Sequence, residues 1–250
     1  TLATEELLDR PQFALHGSAR TGECLHEIYE DYSGDPDRED FADVVKHKLE
    51  AYGLGDPPRH WRPAHRSDWR KNRWLAGMSA WLRAAMETPL APGSFSLGSL
   101  FTSRQVLPEL VFDFSVGSEA ETVTGSALRQ ALSGTPVEGW TPGFDEIHGL
   151  MTGAIDLTFV HENRVYILDY KSNTLGRHPD AYGQDGMDAC MTENRYHLQY
   201  LIYTTALHRY LSRRFGERYG YDGGPAELGF GGVYYLFLRG MRPETGPTRG

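Results

Sequence analysis

The stretch GAIDLTFVHENRVYILDYKSN, Gly153 to Asn173, holds two apolar runs of strand character, and each carries an aspartate in its middle, Asp156 and Asp169. A hairpin whose loop is centred between Glu162 and Asn163 pairs residues equidistant from that centre, which sets Asp156 opposite Asp169. Cβ atoms in such a pair lie about 4.5–5.5 Å apart, and like charges so placed destabilise a sheet unless something neutralises them. An odd-length loop sends the two carboxylates to opposite faces, so this reading depends on the turn. Strand periodicity also places Asp169 and Lys171 on one face, because side chains alternate with a period of two.

A divalent cation is the simplest neutraliser. Hard oxygen ligands on a partly open site suit magnesium, which keeps several waters and binds phosphate beside one or two carboxylates. A bound metal acidifies its water, and a nearby ammonium can orient that water or stabilise the charge of a pentavalent phosphate. The expectation is hydrolysis of phosphodiesters. An Asp-x-Lys triplet alone more often reads as a surface ion pair. The second aspartate at the opposed position, on strands that are otherwise strongly apolar, carries the functional reading.

Working outward, the 250 residues are 40% hydrophobic and 12% aromatic, enough for a substantial core. No run of about 18 apolar residues exists, and no basic region precedes a short apolar one at the N-terminus, so neither a membrane span nor a signal peptide is expected. Cys24 and Cys190 are too few for a disulfide framework, a four-thiolate zinc site or a four-cysteine iron–sulfur cluster. A soluble, cytoplasmic chain without a membrane partner is expected. The start on Thr1 and the close on RPETGPTRG suggest a piece of a longer polypeptide.

The formal net charge of -9 excludes a general nucleic-acid glue but not a local basic patch. Arg59, Arg62, Arg66, Arg70, Lys71 and Arg73 form one, opposed only by Asp68 and interleaved with Trp61 and Trp69. It suits either a strand guide built from phosphate contacts and base stacking, or a solvated face whose tryptophans pack inward. His208, Arg209, Arg213 and Arg214 present the same two readings on a later helix.

TGECLHEIYEDY puts Leu25, Ile28 and Tyr29 on one helical stripe and His26 with Glu30 on another face, with Thr21 as N-cap and SGDPD as the stop. Helical patterns recur from Asp40 to Tyr52 and around Trp74, Met78 and Trp81. QVLPELVFDFSV alternates as a strand, with Leu110, Phe112, Phe114 and Val116 on one side and Glu109, Val111 and Asp113 on the other. Gly117 to Gly149 reads as a polar excursion with one short helix from Ser126 to Ser133. After the hairpin come a loop over GRHPDAYGQDGMD, a helix from Asn194 to Phe215 and the buried strand of ELGFGGVYYLFLRG. No Walker phosphate loop is present, since no glycine is followed by lysine.

With GAIDL, LDYKS and LQYLIY in this order, the sequence resembles the PD-(D/E)-x-K nuclease superfamily, and within it the C-terminal nuclease domains of RecB type found in bacterial RecBCD helicase–nucleases. Ile155 and Asp156 stand at the PD element, as is usual in RecB-like members, and Asp169, Tyr170 and Lys171 at the (D/E)-x-K element. The resemblance implies an α/β fold of restriction-endonuclease type, a mixed β-sheet flanked by helices. Here that becomes a single nuclease domain over 1–250, mainly helical over 1–100, with a sheet core over 101–250 bearing the hairpin 152–173 and the helix 194–215. It implies magnesium held by His26, Asp156, Asp169 and the Tyr170 carbonyl, with Lys171 positioning or activating the attacking water. Gln199 and Tyr203 match the family's Q-x-x-x-Y motif, which supports the site and contacts DNA, and Glu109 resembles an additional acidic residue. Single-stranded DNA as substrate, RecC- and RecD-like subunits as partners, and RecA loading are implied by the resemblance alone. The rival readings are an AddA-type nuclease domain and a non-catalytic nuclease-like module that binds DNA or docks a protein.

Overall fold

The computed structural model describes residues 10–37, 39–61, 70–90, 95–117, 122–135, 137–141, 143–224 and 226–243. Among the described residues, five helices come first: α1 (Pro11–Ala14), α2 (Ala19–Gly34), α3 (Phe41–Ala51), α4 (Arg70–Glu87) and α5 (Leu97–Ser103). Then follow β1 (Val106–Val116), β2 (Val123–Thr124), α6 (Gly125–Ala131), β3 (Glu146–Ile147), β4 (Gly149–His161) and β5 (Arg164–Lys171). The chain continues through α7 (Gln184–Glu193), α8 (Tyr196–Phe215), β6 (Tyr219–Gly220) and β7 (Leu228–Phe237). A mixed five-stranded sheet runs in the order β1-β4-β5-β7-β6. β1, β4 and β5 are antiparallel neighbours, and β7 is parallel to both β5 and β6. This is the α/β arrangement that the sequence predicts.

The hairpin has the expected register. Leu157 pairs with Leu168 and His161 with Arg164, and the two turn residues Glu162 and Asn163 take φ of 48° and 60°. Two left-handed residues in a two-residue loop make a turn whose twist matches that of the strands, and asparagine tolerates the conformation well. On the other side of β5, the register with β7 slips between Val165 and Tyr166. The slip falls at Gly231, where an added Cβ would lie 2.3 Å from the Tyr166 ring, so only glycine fits.

Three expectations need correction. α2 starts one turn before the predicted cap, because the Ser18 side chain accepts the Thr21 amide at 3.2 Å, while the Thr21 hydroxyl turns back to the His16 carbonyl at 2.8 Å. The segment read as a loop after the hairpin contains a 3-10 turn, Pro179–Tyr182, and α7. α7 buries only Met187 and Cys190, an apolar stripe too sparse to stand out among glycines and acids. The polar excursion carries the small ribbon β2–β3 beside its expected helix, and two-residue strands leave no periodic signal.

Helices α2 to α5 cover one face of the sheet, burying Leu157, Phe159, Leu168 and Tyr170 against residues such as Tyr29 and Trp74. Helix α8 covers the other, burying Phe112, Ile155, Val165 and Ile167 against Leu207 and Leu211. Ile155 and Leu157 have the same parity yet face opposite layers, and so do Val106 and Leu110 on β1. Both strands therefore change face in between, at Asp156 and Glu109. The β1–β4 ladder omits that pair while keeping its register on both sides, and Glu109 has φ of 45°. A non-glycine residue held there is strained by about 1–3 kcal/mol, and such strain clusters at functional sites.

The basic segment divides. Residues 62–69, including Arg62, Arg66, Asp68 and Trp69, lie outside the described residues. Trp61 is buried edge-on against Trp74, with centroids 5.2 Å apart, so it offers no stacking surface to a strand. Arg70 donates to the carbonyls of Pro58 and Trp61, and Lys71 pairs with Glu50. Among the described residues, no helix is long and apolar enough to cross a membrane.

Candidate active site

The hairpin ladder stops at Leu157 and Leu168, one step short of the aspartates. The expected direct opposition of Asp156 and Asp169 is thus not a paired one. Instead Asp156 Oδ2 accepts the backbone N–H of Tyr170 at 2.8 Å. The change of face at Asp156 frees β4 from β5, and its carboxylate closes the hydrogen bond that the ladder leaves open. β5 continues as a strand because β7 keeps pairing with it through Asp169, Tyr170 and Lys171.

On β5, Asp169 and Lys171 share a face, as a strand requires, and Lys171 Nζ stands 2.6 Å from Asp169 Oδ2. Both side chains are buried, at 3% and 8% exposure. Despite that approach, Asp169 Oδ2 makes no well-directed hydrogen bond. Burial, and then the neighbouring Asp156 charge, push the Asp169 carboxyl up to about 6 against the pull of Lys171 and His26. A buried carboxylate in that condition favours either a proton or a further cation.

His26 arrives from α2. Its Nε2 meets the Tyr170 carbonyl at 2.7 Å and its Nδ1 lies 3.4 Å from Asp156 Oδ2. Burial works against a charged imidazole here, but the Asp156 hydrogen bond, with the Asp156 and Asp169 charges, outweighs it and raises the pKa. Packing of Tyr29 on Tyr170, with centroids 4.9 Å apart and nearly stacked, holds α2 at this height over β5. One helical turn beyond His26, Glu30 hydrogen-bonds Glu109, and burial followed by that partner pushes Glu30 up to about 7. His26 and Glu30 were expected to share a helix face. The meeting of Glu30 with Glu109 arises from the strand's change of face, which no sequence period reveals.

Lys171 has further company. Its Nζ donates to Gln199 Oε1 at 2.8 Å, and Gln199 Nε2 donates to the Tyr203 hydroxyl at 3.0 Å. The four-residue spacing of Gln199 and Tyr203 on α8 thus forms a relay along one helix face. The Lys171 ammonium also lies 3.6 Å from the Tyr196 ring centroid and 5.0 Å from that of Tyr235. The Tyr196 hydroxyl donates to Asn173 at 3.1 Å, and the Tyr235 hydroxyl donates to the Tyr196 carbonyl at 3.1 Å. Sequence reasoning missed Tyr196 and Tyr235. The only hint was two tyrosines bordering segments already singled out.

Among the described residues, no three His, Cys, Asp or Glu side chains gather tightly enough to hold an ion by themselves. The donor set that could hold one combines the carboxylates of Asp156 and Asp169, the His26 ring and the Tyr170 carbonyl. Three of its four donors are hard oxygens and the buried Asp169 Oδ2 lacks a directed partner, which fits a divalent cation.

Residues 2–244 match the model of the PD-(D/E)XK nuclease superfamily. The RecBCD enzyme subunit RecB of Escherichia coli is 36% identical over 235 residues, which cover 90% of this chain and 17% of that protein. RecB of Mycolicibacterium smegmatis is 29% identical over 257 residues, covering 92% of this chain and 21% of that protein. RecB of Buchnera aphidicola from Acyrthosiphon pisum is 32% identical over 169 residues, covering 68% of this chain and 14% of that protein. This chain is therefore similar to a minor part of much longer relatives. With the family match spanning nearly its whole length, the chain belongs to the PD-(D/E)XK nuclease superfamily.

Proposed function

We infer that this chain is a magnesium-dependent nuclease that hydrolyses phosphodiester bonds, chiefly of single-stranded DNA, and serves double-strand-break repair within a RecBCD-type assembly. The observation that carries the reading is the buried Asp169–Lys171 pair, set beside Asp156 and His26 where β4 parts from β5. Asp156, Asp169, His26 and the Tyr170 carbonyl would hold the metal. When bound, magnesium supplies Lewis-acid polarisation of the phosphate and a more acidic water.

The chain's own groups do the remainder. The Asp156 carboxylate, fixed by the Tyr170 amide, keeps one donor in place before substrate arrives. Lys171, steered by Gln199 and backed by two aromatic faces, presents a positive charge toward the phosphate and orients the attacking water. Burial around Lys171 and Asp169 excludes bulk water and strengthens each of these interactions.

Partnership with RecC- and RecD-like subunits, and handover to RecA, are extended to this chain from its similarity to RecB subunits. The presence of Asp156, Asp169 and Lys171 together favours catalysis over a docking module. The test is incubation of the chain with labelled linear single-stranded DNA and magnesium, beside EDTA and Asp169→Ala controls. Metal-dependent cleavage lost in both controls supports the reading, and cleavage by Asp169→Ala equal to wild type overturns it.

A further inference from the structure

β4 pairs with β5 only from Leu157 to His161, whereas its pairing with β1 continues outward to Gly149. The outer halves of β1 and β4 thus form a two-stranded arm that leaves the sheet where Asp156 sits. Helix α8 runs along the inner face of this arm, and a cleft of about 860 Å³ remains between them. Its floor is apolar, formed by Leu110, Phe112, Phe114 and Ile155. Its helical wall carries Arg209 and Arg213. At its inner end Ile155 adjoins Asp156 in the chain, and the Phe112 ring meets Tyr203 edge-on at 5.9 Å. The inner end of the cleft thus lies beside Tyr203, the outer member of the Lys171–Gln199–Tyr203 relay.

The charges on this wall are only partly accounted for within the protein: Arg213 stands in the last turn of α8, where a cation suits the helix dipole. Arg209 and Arg213 are four residues apart on one helix face, an arrangement in which like charges repel. Neither makes an ion pair with a carboxylate among the described residues, although Asp113 also lines the cleft. Arg209 is laid over the Phe114 ring at 5.1 Å and donates to the Ser115 carbonyl at 3.4 Å, so its guanidinium is already held across the opening. Two arginines of one sign facing an apolar floor, in a chain whose formal net charge is -9, complement a polymer with anionic and apolar parts.

We propose that the cleft between the β1–β4 arm and α8 is the bed of the DNA strand flanking the scissile phosphate. Backbone phosphates meet Arg209 and Arg213, and bases lie against the apolar floor and the exposed Tyr210. This rests on the nuclease reading above and adds to it the path by which the strand reaches Lys171. Ten residues of helix separate Tyr203 from Arg213, about 15 Å at 1.5 Å per residue, so the bed takes a few nucleotides on one side of the cut.

The test is fluorescence anisotropy of a labelled single-stranded oligonucleotide, with calcium in place of magnesium, across a range of salt. Wild type is compared with the double variant Arg209→Ala/Arg213→Ala and with Arg213→Glu. Cleavage of the same oligonucleotide by wild type is measured in parallel. Each phosphate contact contributes about 0.7 to the slope of log affinity on log salt for single strands, so the double variant should flatten the slope by about 1.4. Its affinity should fall at least about tenfold in low salt, with Arg213→Glu falling further than the loss of one contact alone. An unchanged slope and affinity, with wild type still cutting, overturns the cleft assignment and leaves the nuclease reading standing. Wild type that neither binds nor cuts overturns both. Melting temperatures of the variants equal to wild type establish that a loss is not one of folding.

Discussion

The Asp156 carboxylate accepts the backbone N–H of Tyr170, so a side chain of one strand completes the hydrogen bonding of its neighbour where the main-chain ladder stops. The same oxygen faces His26, and the carbonyl of the same Tyr170 meets the other ring nitrogen of His26. One residue thus couples the parting of two strands to the assembly of the candidate site.

Replacing Asp169 with asparagine should abolish metal-dependent cleavage, by at least about 100-fold, with little loss of stability, because the like-charge conflict with Asp156 disappears. Single-turnover cleavage and thermal melts of the same preparation check both halves. Collapse of the melting temperature would show instead that the ion pair with Lys171 holds the fold.

Lys171→Gln should retain magnesium affinity within a few-fold and lose about two to four orders of magnitude in rate, the usual range for a positioned proton-transfer or charge-stabilising group. Calorimetry with magnesium, set beside cleavage rates, separates the two quantities. Full activity in this variant would remove lysine from the mechanism.

Tyr196 touches Lys171 through its ring face and not its hydroxyl. A desolvated cation–π contact is worth about 2 kcal/mol, so Tyr196→Leu should slow turnover roughly tenfold or more at unchanged DNA affinity. Tyr196→Phe should keep most of the rate. Equal losses in the two variants would point to the hydroxyl bond with Asn173 as the important contact.

Stability in EDTA should decline as pH rises from about 4 toward neutrality and beyond. Asp169, raised from 3.8 to about 6, and Glu30, raised from 4.5 to about 7, hold protons in the folded state that the unfolded chain has already released. His26, raised above its ordinary 6.5, adds the same sign as pH rises through that value, since its folded-state proton is lost only above the unfolded pKa. Glu27, lowered by Lys48 and Tyr52, acts in the opposite sense, and its contribution is lost only in more acid solution, below its ordinary 4.5. Melts at pH 5 and pH 8 should differ in that order, with magnesium narrowing the gap. A melting temperature that rises steadily to pH 8 in EDTA contradicts this.

Arg239, 1% exposed, donates to the carbonyls of Ser172, Gln12 and Leu15 and so ties the end of β7 to the strand end beyond Lys171 and to α1. Arg239→Leu should cost at least about 3 kcal/mol, since three carbonyls lose their donor at about 1–3 kcal/mol each. Urea unfolding measures it, and a change under about 1 kcal/mol would mean that water reaches those carbonyls.

Much of the central hairpin was legible because its determinants are local. A two-residue turn at Glu162 and Asn163 sets the register, a one-residue slip would turn every apolar side chain outward, and the period of two then joins Asp169 to Lys171. Four-residue spacing likewise joined Gln199 to Tyr203 before any packing was known. Tertiary structure decided what short-range stereochemistry leaves open. The change of face at Glu109 and Asp156 comes from two helical layers competing for opposite sides of the same strands. The contact of His26 with Tyr170 spans 144 residues of chain, and the aromatic faces around Lys171 come from α8 and β7. Such contacts depend on how layers pack, and no periodicity in the sequence encodes the distance between residues on different elements.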